Sequence, residues 1–412
     1  MNKTSKLHMS TEEFRKAGYK AVDWIADYYD HIEDYPVFPQ VQPGEIRSKL
    51  PKDPPQEGRS YEKILQDMNT MMPGITHWQS PNFHAFFPCA TSGPAILGDL
   101  ISTGLGINGM NWVTSPSATE LESHVLDWLV DMMELPNKFK SKSSGGGVLQ
   151  DTASSSSLVA LIAAREKASK GEINNNGYNG KLTVYTSSQA HSSIEKAVKI
   201  AGIGKNNLRL VDVDDSFAMD TNHLKKLILE DINNGLHPAY VCATVGTTSS
   251  TAIDPVDDIG LICQEFGIWL HVDAAMAGPA ALCPEYRFIN KGLEHADSYT
   301  FNPHKWMLTN FDCSVFYVAK RQLLINAMSI LPEYLKNKGS ESGEVIDYMD
   351  WSIPLGRKFR GLKLWQVINY YGINGLREYI RENVDYTQQL KTWIEANPDF
   401  EIVAPVPLNL VC

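Results

Sequence analysis

The sequence predicts an α/β protein with a mostly parallel central sheet, an N-terminal helical arm and a partial small C-terminal α+β domain. Three observations carry that expectation. Between residues 182 and 273 four short apolar runs alternate with three helix-length amphipathic segments, the pattern of βαβ units whose sheet is covered on both faces. The 412 residues are 43% hydrophobic and 21% charged, an ordinary globular mixture with material for a large core. A Pro-rich stretch separates an opening helical segment from everything that follows.

The opening segment has a capping box. Ser10 precedes Glu13 by three positions, so each side chain can satisfy an amide of the first helical turn. Apolar residues then recur at Phe14, Ala17, Ala21, Ile25, Tyr28 and Ile32, close to helical period. Pro36 to Pro55 holds six Pro and one Gly and reads as an extended arm. Tyr61–Met71 predicts a second helix, stopped by Pro73 and Gly74. Another should start at Ser115–Pro116, with Leu121, Val125, Leu129 and Met132 on one face.

The expected strands are Leu182–Thr186, Leu208–Val213, Tyr240–Val245 and Ile268–Asp273, with helices at Ser192–Gly202, Thr221–Asn233 and Asp257–Phe266. Strands Ser298–Phe301 and Ser314–Val318 follow without an obvious helix between them. After Gly361 come a helix with Leu364, Val367, Ile368 and Tyr371 and a second through Leu390 and Trp393. Phe400–Val403 and Leu408–Cys412 look like strands. A chain stopping inside a strand leaves bare sheet edges, so truncation is expected. The expected divisions are 1–90, a helical segment; 91–365, the large α/β domain; and 366–412, the start of the small one.

Charge and composition exclude several classes. Lys plus Arg number 37 and Asp plus Glu 48, a net charge of −11, so neither nucleic acid nor an anionic membrane is an expected partner. No apolar run approaches the roughly 18 residues of a membrane span, and the first residues contain no secretory signal. The six Cys are scattered without a CxxC pair, which fits a reducing, cytoplasmic setting. The eleven His lack metal-ligand spacing, so no metal is expected. Gly104–Gly109 formally matches GxGxxG but follows no strand and reads as a loop.

Four features can carry chemistry. Gly145–Gly147 leads through Val-Leu-Gln to Thr152, Ala153, Ser154 and a helical run. Small residues, hydroxyls and a helix N-terminus together make a phosphate cradle; read alone, the stretch is equally a flexible linker and an N-cap. Asp273 ends a strand, where ligands bind in open α/β sheets, although a lone Asp there is more often a turn residue. Lys305 stands between His304 and Trp306; desolvation would favour its neutral, nucleophilic amine, while the plain alternative is a stem packed on Trp306. His191 follows a strand end, where its ring can stack on a flat cofactor or merely join a capping cluster. Pyridoxal phosphate (PLP) needs a phosphate cradle, an acid for its ring nitrogen and a Lys for its aldehyde, and the set offers all three.

These residues sit in the motifs WQSPNFHAFFP, GGGVLQDTAS, QAHSS, GTTSS, HVDAAMAG, CPEYR, FNPHKW, LPEYLKN and IPLGRKFR. From about Glu13 to Cys412 the chain resembles the group II PLP-dependent aromatic L-amino acid decarboxylases, most closely the bacterial-type members. The resemblance implies a fold type I, PLP-dependent transferase-like architecture, a homodimer with shared active sites, and further residues beyond Cys412. It makes Lys305 the Schiff-base lysine, Asp273 the partner of the pyridine nitrogen, and His191 the stacking residue that also approaches the substrate carboxylate. Ala153, Ser154, Thr248, Asn302, His304 and Arg357 complete the implied cofactor set. Trp78, Phe86, Phe87 and Pro88 match an aromatic substrate pocket built partly by the partner subunit, joined by Cys89 and Met110. Cys89 replaces a common Thr, and Met276 stands where animal and plant members usually have Tyr.

Tyr334 matches the general-acid position, on a polar, Gly-containing segment with the composition of a lid. Relatives that form aldehydes characteristically carry Phe there, so Tyr implies decarboxylation to an amine. The competing readings are an aromatic acetaldehyde synthase, a decarboxylase of another amino acid such as glutamate, and a catalytically silent dimeric relative.

Overall fold

Five of the seven strands are buried along their whole length: β1 (Gly146–Gln150), β2 (Leu182–Ser187), β5 (Trp269–Asp273), β6 (Ser298–Phe301) and β7 (Ser314–Val318). Such continuous burial requires cover on both faces of the sheet. The sheet also contains β3 (Leu208–Val211) at one edge and β4 (His237–Thr244), in the order β1-β7-β6-β5-β4-β2-β3. Only β7 runs against the others; it pairs antiparallel with β1 and β6. This computed structural model describes residues 8–178, 180–330 and 345–412. Tyr334 and the expected lid segment 331–343 lie outside the described residues.

The chain forms two compact units, Met1–Phe86 and Phe87–Cys412. In the first, α1 (Thr11–Asp30) starts at the expected capping box, α2 covers Glu45–Lys49, and α3 spans Tyr61–Met71 as expected. Tyr28 hydrogen-bonds His77 at 2.9 Å, and Tyr35 stacks on the same ring. Trp78, Phe83 and Phe86 form an aromatic cluster with Phe38.

The second unit opens with α4 (Gly93–Leu105) and α5 (Pro116–Met132). Ser115 caps α5 through the amide of Ala118, with Pro116 at the first helical position. The crossover helices are α6 (Ala153–Ser169), α7 (Glu172–Asn176), α8 (Ser193–Ile200), α9 (Thr221–Asn233) and α10 (Val256–Phe266). After them come α11 (Pro303–Trp306), α12 (Arg321–Met328) and α13 (Arg360–Glu395), the last broken at Gly372 (φ 62°, ψ 172°) into the two helices expected. Strand residues alternate between two cores. Val184, Tyr240, Cys242 and Trp269 face α6, α8 and α12. Tyr185, Val241, Ala243, Leu270 and Val272 share the other core with residues of α5, α9, α10 and α13. No described helix is long and apolar enough to cross a membrane.

Three expectations change. Gly145–Gly147 take no part in the expected phosphate cradle, because Gly146 and Gly147 open β1, while Thr152, Ala153 and Ser154 do line the cavity described below. A Cβ at Gly145 would lie 2.2 Å from the carbonyl oxygens of Lys138 and Val318, and one at Gly147 2.6 Å from the Tyr317 ring. These glycines let β1 pair with β7 beneath that tyrosine. Second, α11 lies between β6 and β7 where no helix was expected. Third, Phe400–Val403 and Leu408–Cys412 form no strand among the described residues. Neither run joins a ladder; one backbone hydrogen bond, from Val403 N–H to Cys412 O, links them.

Candidate active site

The parallel strands bring their carboxyl ends to one side of the sheet, and the functional side chains collect there. Thr244 ends β4, Asp273 ends β5, Asn302 follows β6, and His191 lies just beyond β2. Together with the start of α6 they line a cavity of about 200 Å³. It brings together Lys305, Asp273, His191, Ala153, Ser154, Thr248, Asn302, His304 and Phe87, as well as the divergent Met276.

At one wall, Thr152 precedes α6 without a side-chain cap, so the first amides of this 17-residue helix, at Ala153 and Ser154, point out of it with no intrahelical partner. At another wall, residues 245–254 fold back on themselves. Gly246 and Thr247 amides both donate to Ala252 O, and the Asp254 carboxylate accepts from Thr244 N–H at 2.7 Å and Met219 N–H at 2.8 Å. This clamp presents Thr244 and Thr248 to the cavity. Gly246 (φ 84°) is required there, since a Cβ would sit 2.7 Å from Ala277 Cβ.

The charged pair is poised rather than joined. Asp273 is buried, and its Oδ1 accepts from Ala275 N–H at 3.0 Å. Burial pushes its carboxyl above the usual range, opposed by Lys305, that hydrogen bond and His191. Burial likewise lowers the Lys305 amine, opposed by Asp273. No salt bridge links them although both line one cavity. The Lys305 ammonium lies 5.1 Å from the centroid of the Phe87 ring. His304 is buried, its ring tilted against Phe311 (centroids 4.7 Å apart), and lowered to about 4 by burial and by Lys305.

Other expected residues lie elsewhere. Arg357 is not among the cavity-lining residues. It is buried against Glu122 (2.7 Å) and donates to Gly109 O and Leu149 O, because a buried guanidinium requires a carboxylate and acceptors. Pro88, Cys89 and Met110 do not line the cavity either; Met110 O accepts from Met349 N–H. Trp78 and Phe86 belong to the N-terminal unit. The sequence reading missed Thr244, Ser193, Gly246, Ala275 and Phe311. Thr244 had a usable signal, its position at the carboxyl end of a predicted strand.

The cavity suits PLP. Among the described residues, Thr244 Oγ1 and Asn302 Oδ1 are buried without hydrogen-bond partners, and each such orphan costs about 1–3 kcal/mol unless a ligand satisfies it. A buried carboxylate and an amine face the same space without neutralising each other, beside the free amides of a helix N-terminus. These are the three chemistries the cofactor's ring nitrogen, aldehyde and phosphate demand.

Comparison with known proteins agrees. Residues 43–412 match the pyridoxal-dependent decarboxylase conserved domain. The chain is 48% identical over 407 residues to a phenylacetaldehyde synthase of Arabidopsis thaliana, covering 98% of this chain and 83% of that protein. It is 47% identical over 409 residues to tyrosine decarboxylase 2 of Narcissus pseudonarcissus, covering 98% and 81%. Among solved structures, Oryza sativa TDC with PLP and tryptamine superposes with a TM-score of 0.96 at 40% identity, over 99% of this chain and 84% of that one. The chain therefore belongs to the pyridoxal-dependent decarboxylase family and is a PLP-dependent carboxy-lyase.

Proposed function

We propose that the protein decarboxylates aromatic L-amino acids to arylalkylamines and CO₂. The carrying observation is one cavity that holds Asp273 and Lys305 apart, with Phe87 and Phe311 on its walls and no arginine among the described residues that line it. A substrate with an acidic side chain would call for such a cation, whereas a flat ring gains from aromatic contact.

PLP, when bound, supplies an electron sink for the bond to the departing carboxylate. Asp273 would hold the ring nitrogen's proton, and Lys305, its amine form favoured by burial, would hold the aldehyde carbon. Ala153 and Ser154 amides would receive the phosphate, while the Thr244 hydroxyl could donate to the cofactor and Asn302 Oδ1 would accept from an N–H or O–H of the bound group. His191 would cover the ring face, and Phe87 and Phe311 would orient the substrate side chain, which converts binding into alignment of the scissile bond. Tyr334 would return the proton to Cα.

A second reading, aldehyde formation, is favoured by the name of the Arabidopsis relative; Tyr334 favours the amine. The test is a purified protein whose yellow colour borohydride discharges, incubated with tyrosine, phenylalanine, DOPA, tryptophan and 5-hydroxytryptophan. Mass spectrometry should find the corresponding amines. Aldehyde alone would establish the second reading, and turnover of glutamate alone would overturn both.

The working form we propose is a cytoplasmic homodimer. No disulfide forms among the described residues, which suits a reducing compartment. Leu97, Leu100, Ile101 and Leu105 stand 48–57% exposed along one stripe of α4, a surface that calls for a partner.

A further inference from the structure

We infer that backbone amides hold His304 and His191 as their Nε2–H tautomers when neutral, so that each offers the cavity an N–H donor for an anionic oxygen and no proton acceptor at Nδ1, rigidly so at the buried His304. The inference rests on the proposed function for the identity of that oxygen, but the tautomers follow from the chain alone.

Cys313 N–H donates to Nδ1 of His304 at 3.0 Å. Ser193 N–H donates to Nδ1 of His191 at 3.2 Å. An amide N–H can only donate, so both Nδ1 atoms present lone pairs, and the hydrogen of each neutral ring is on Nε2. Two separate segments, one after β2 and one between β6 and β7, reach the same arrangement. Among the described residues neither Nε2 has a hydrogen-bond partner, and both rings line the cavity.

At His304 the arrangement is rigid. The ring is 3% exposed and Cys313 is fully buried, so turning the ring would orphan a buried amide at a cost of about 1–3 kcal/mol. Protonation would set Nδ1–H against Cys313 N–H. Burial, with Lys305 and Lys363, lowers the ring to about 4 against Asp312, which favours the charge. His304 therefore donates from Nε2 throughout the neutral range and cannot serve as an acid there. The Cα proton must come from another group, which sharpens the role proposed for Tyr334.

The oxygen that accepts from Nε2 belongs to the cofactor phosphate or to the substrate carboxylate. Long-range ¹H–¹⁵N NMR on ¹⁵N-histidine-labelled holoenzyme tests the inference, with His191→Gln and His304→Gln each deleting one set of signals for assignment. Pyridine-like Nδ1 and pyrrole-like Nε2 resonances are expected at both rings, with those of His304 unchanged between about pH 6 and pH 8, two units or more above its lowered value. Replacing PLP by pyridoxal should shift an Nε2–H resonance if phosphate is the acceptor. Adding phenylpropionate, but not phenethylamine, should shift one if the acceptor is a carboxylate. A neutral ring with its hydrogen on Nδ1 overturns the inference, as do Nε2–H signals indifferent to every ligand. Borohydride-sensitive yellow colour in the same sample separates the two failures. A yellow protein with Nδ1–H histidines ends this inference alone, and a colourless one ends the functional reading while the tautomers are still read.

Discussion

Polar groups in apolar surroundings were the most readable single residues. Lys305 between His304 and Trp306, and Asp273 at a strand end, stand out because burial of either charge needs a reason. The cavity that both line supplies one. Arg357 entered only through the family resemblance; its charge is met by Glu122, and a partner 235 positions away leaves no local pattern. Phe311 was hidden for the opposite reason, since one more aromatic residue between two strands is unremarkable. Two predictions belong at this scale. Asp273→Asn should retain a folded protein that binds PLP but lose on the order of a hundredfold in amine formation, because a buried charge stabilising the reacting centre is removed; steady-state kinetics and the visible spectrum check it. Tyr334→Phe should shift product from amine toward aldehyde and peroxide, measured by mass spectrometry and a peroxidase-coupled assay. An unchanged amine yield would remove Tyr334 from the mechanism.

Elements were legible where period and caps agreed. The capping box of α1, the Ser115–Pro116 start of α5, and the limits of α3, α9, β6 and β7 follow from short-range chemistry. β1 was not legible, because a strand opened by two glycines shows no alternation and Val148 is its one β-branched residue. What makes it a strand is Tyr317 and Val318 on β7, far along the chain. The same holds for polar groups inside elements. Asp254 joins the end of β4 to Met219 through two amides, one on each carboxylate oxygen. Asp254→Asn can accept only one of them, so a loss of about 1–3 kcal/mol is expected, with weaker PLP retention because Thr244 and Thr248 depend on that clamp. Urea denaturation and cofactor titration measure the two effects. His271 on β5 is fully buried between Ser157 and Ser298, and burial lowers it to about 3 from 6.5. The unfolded chain therefore binds the proton more readily, and stability falls as pH drops below about 6.5. Between about pH 7 and pH 5 this one ring should cost about 2 kcal/mol, and His271→Gln should flatten the pH dependence by that amount.

At the scale of the molecule, alternation of strands and helices conveyed the parallel sheet, while the antiparallel position of β7 was set by pairings that no local window contains. The proposed association rests on a conflict within α4. Its inward face is fixed against α13, where a Cβ at Gly98 would lie 2.6 Å from Lys363 Cα, and Ala95, Gly98 and Ser102 are buried. The helix therefore cannot rotate to hide Leu97, Leu100, Ile101 and Leu105, which recur at three- and four-residue spacing and remain exposed. A helix apolar on both faces is stable in water only when the second face is also covered. A self-complementary pairing about a two-fold axis is the commonest way to cover it. The parent protein should therefore show twice the 46.0 kDa chain mass by light scattering. Leu100→Asp combined with Ile101→Asp should reduce that to one chain, with an unchanged far-ultraviolet circular dichroism spectrum, because both positions face outward from an otherwise intact unit. Activity should fall with dissociation if the partner contributes to the substrate pocket. A parent that is already monomeric, or a double variant that still scatters as a pair, would show that this stripe is not the interface.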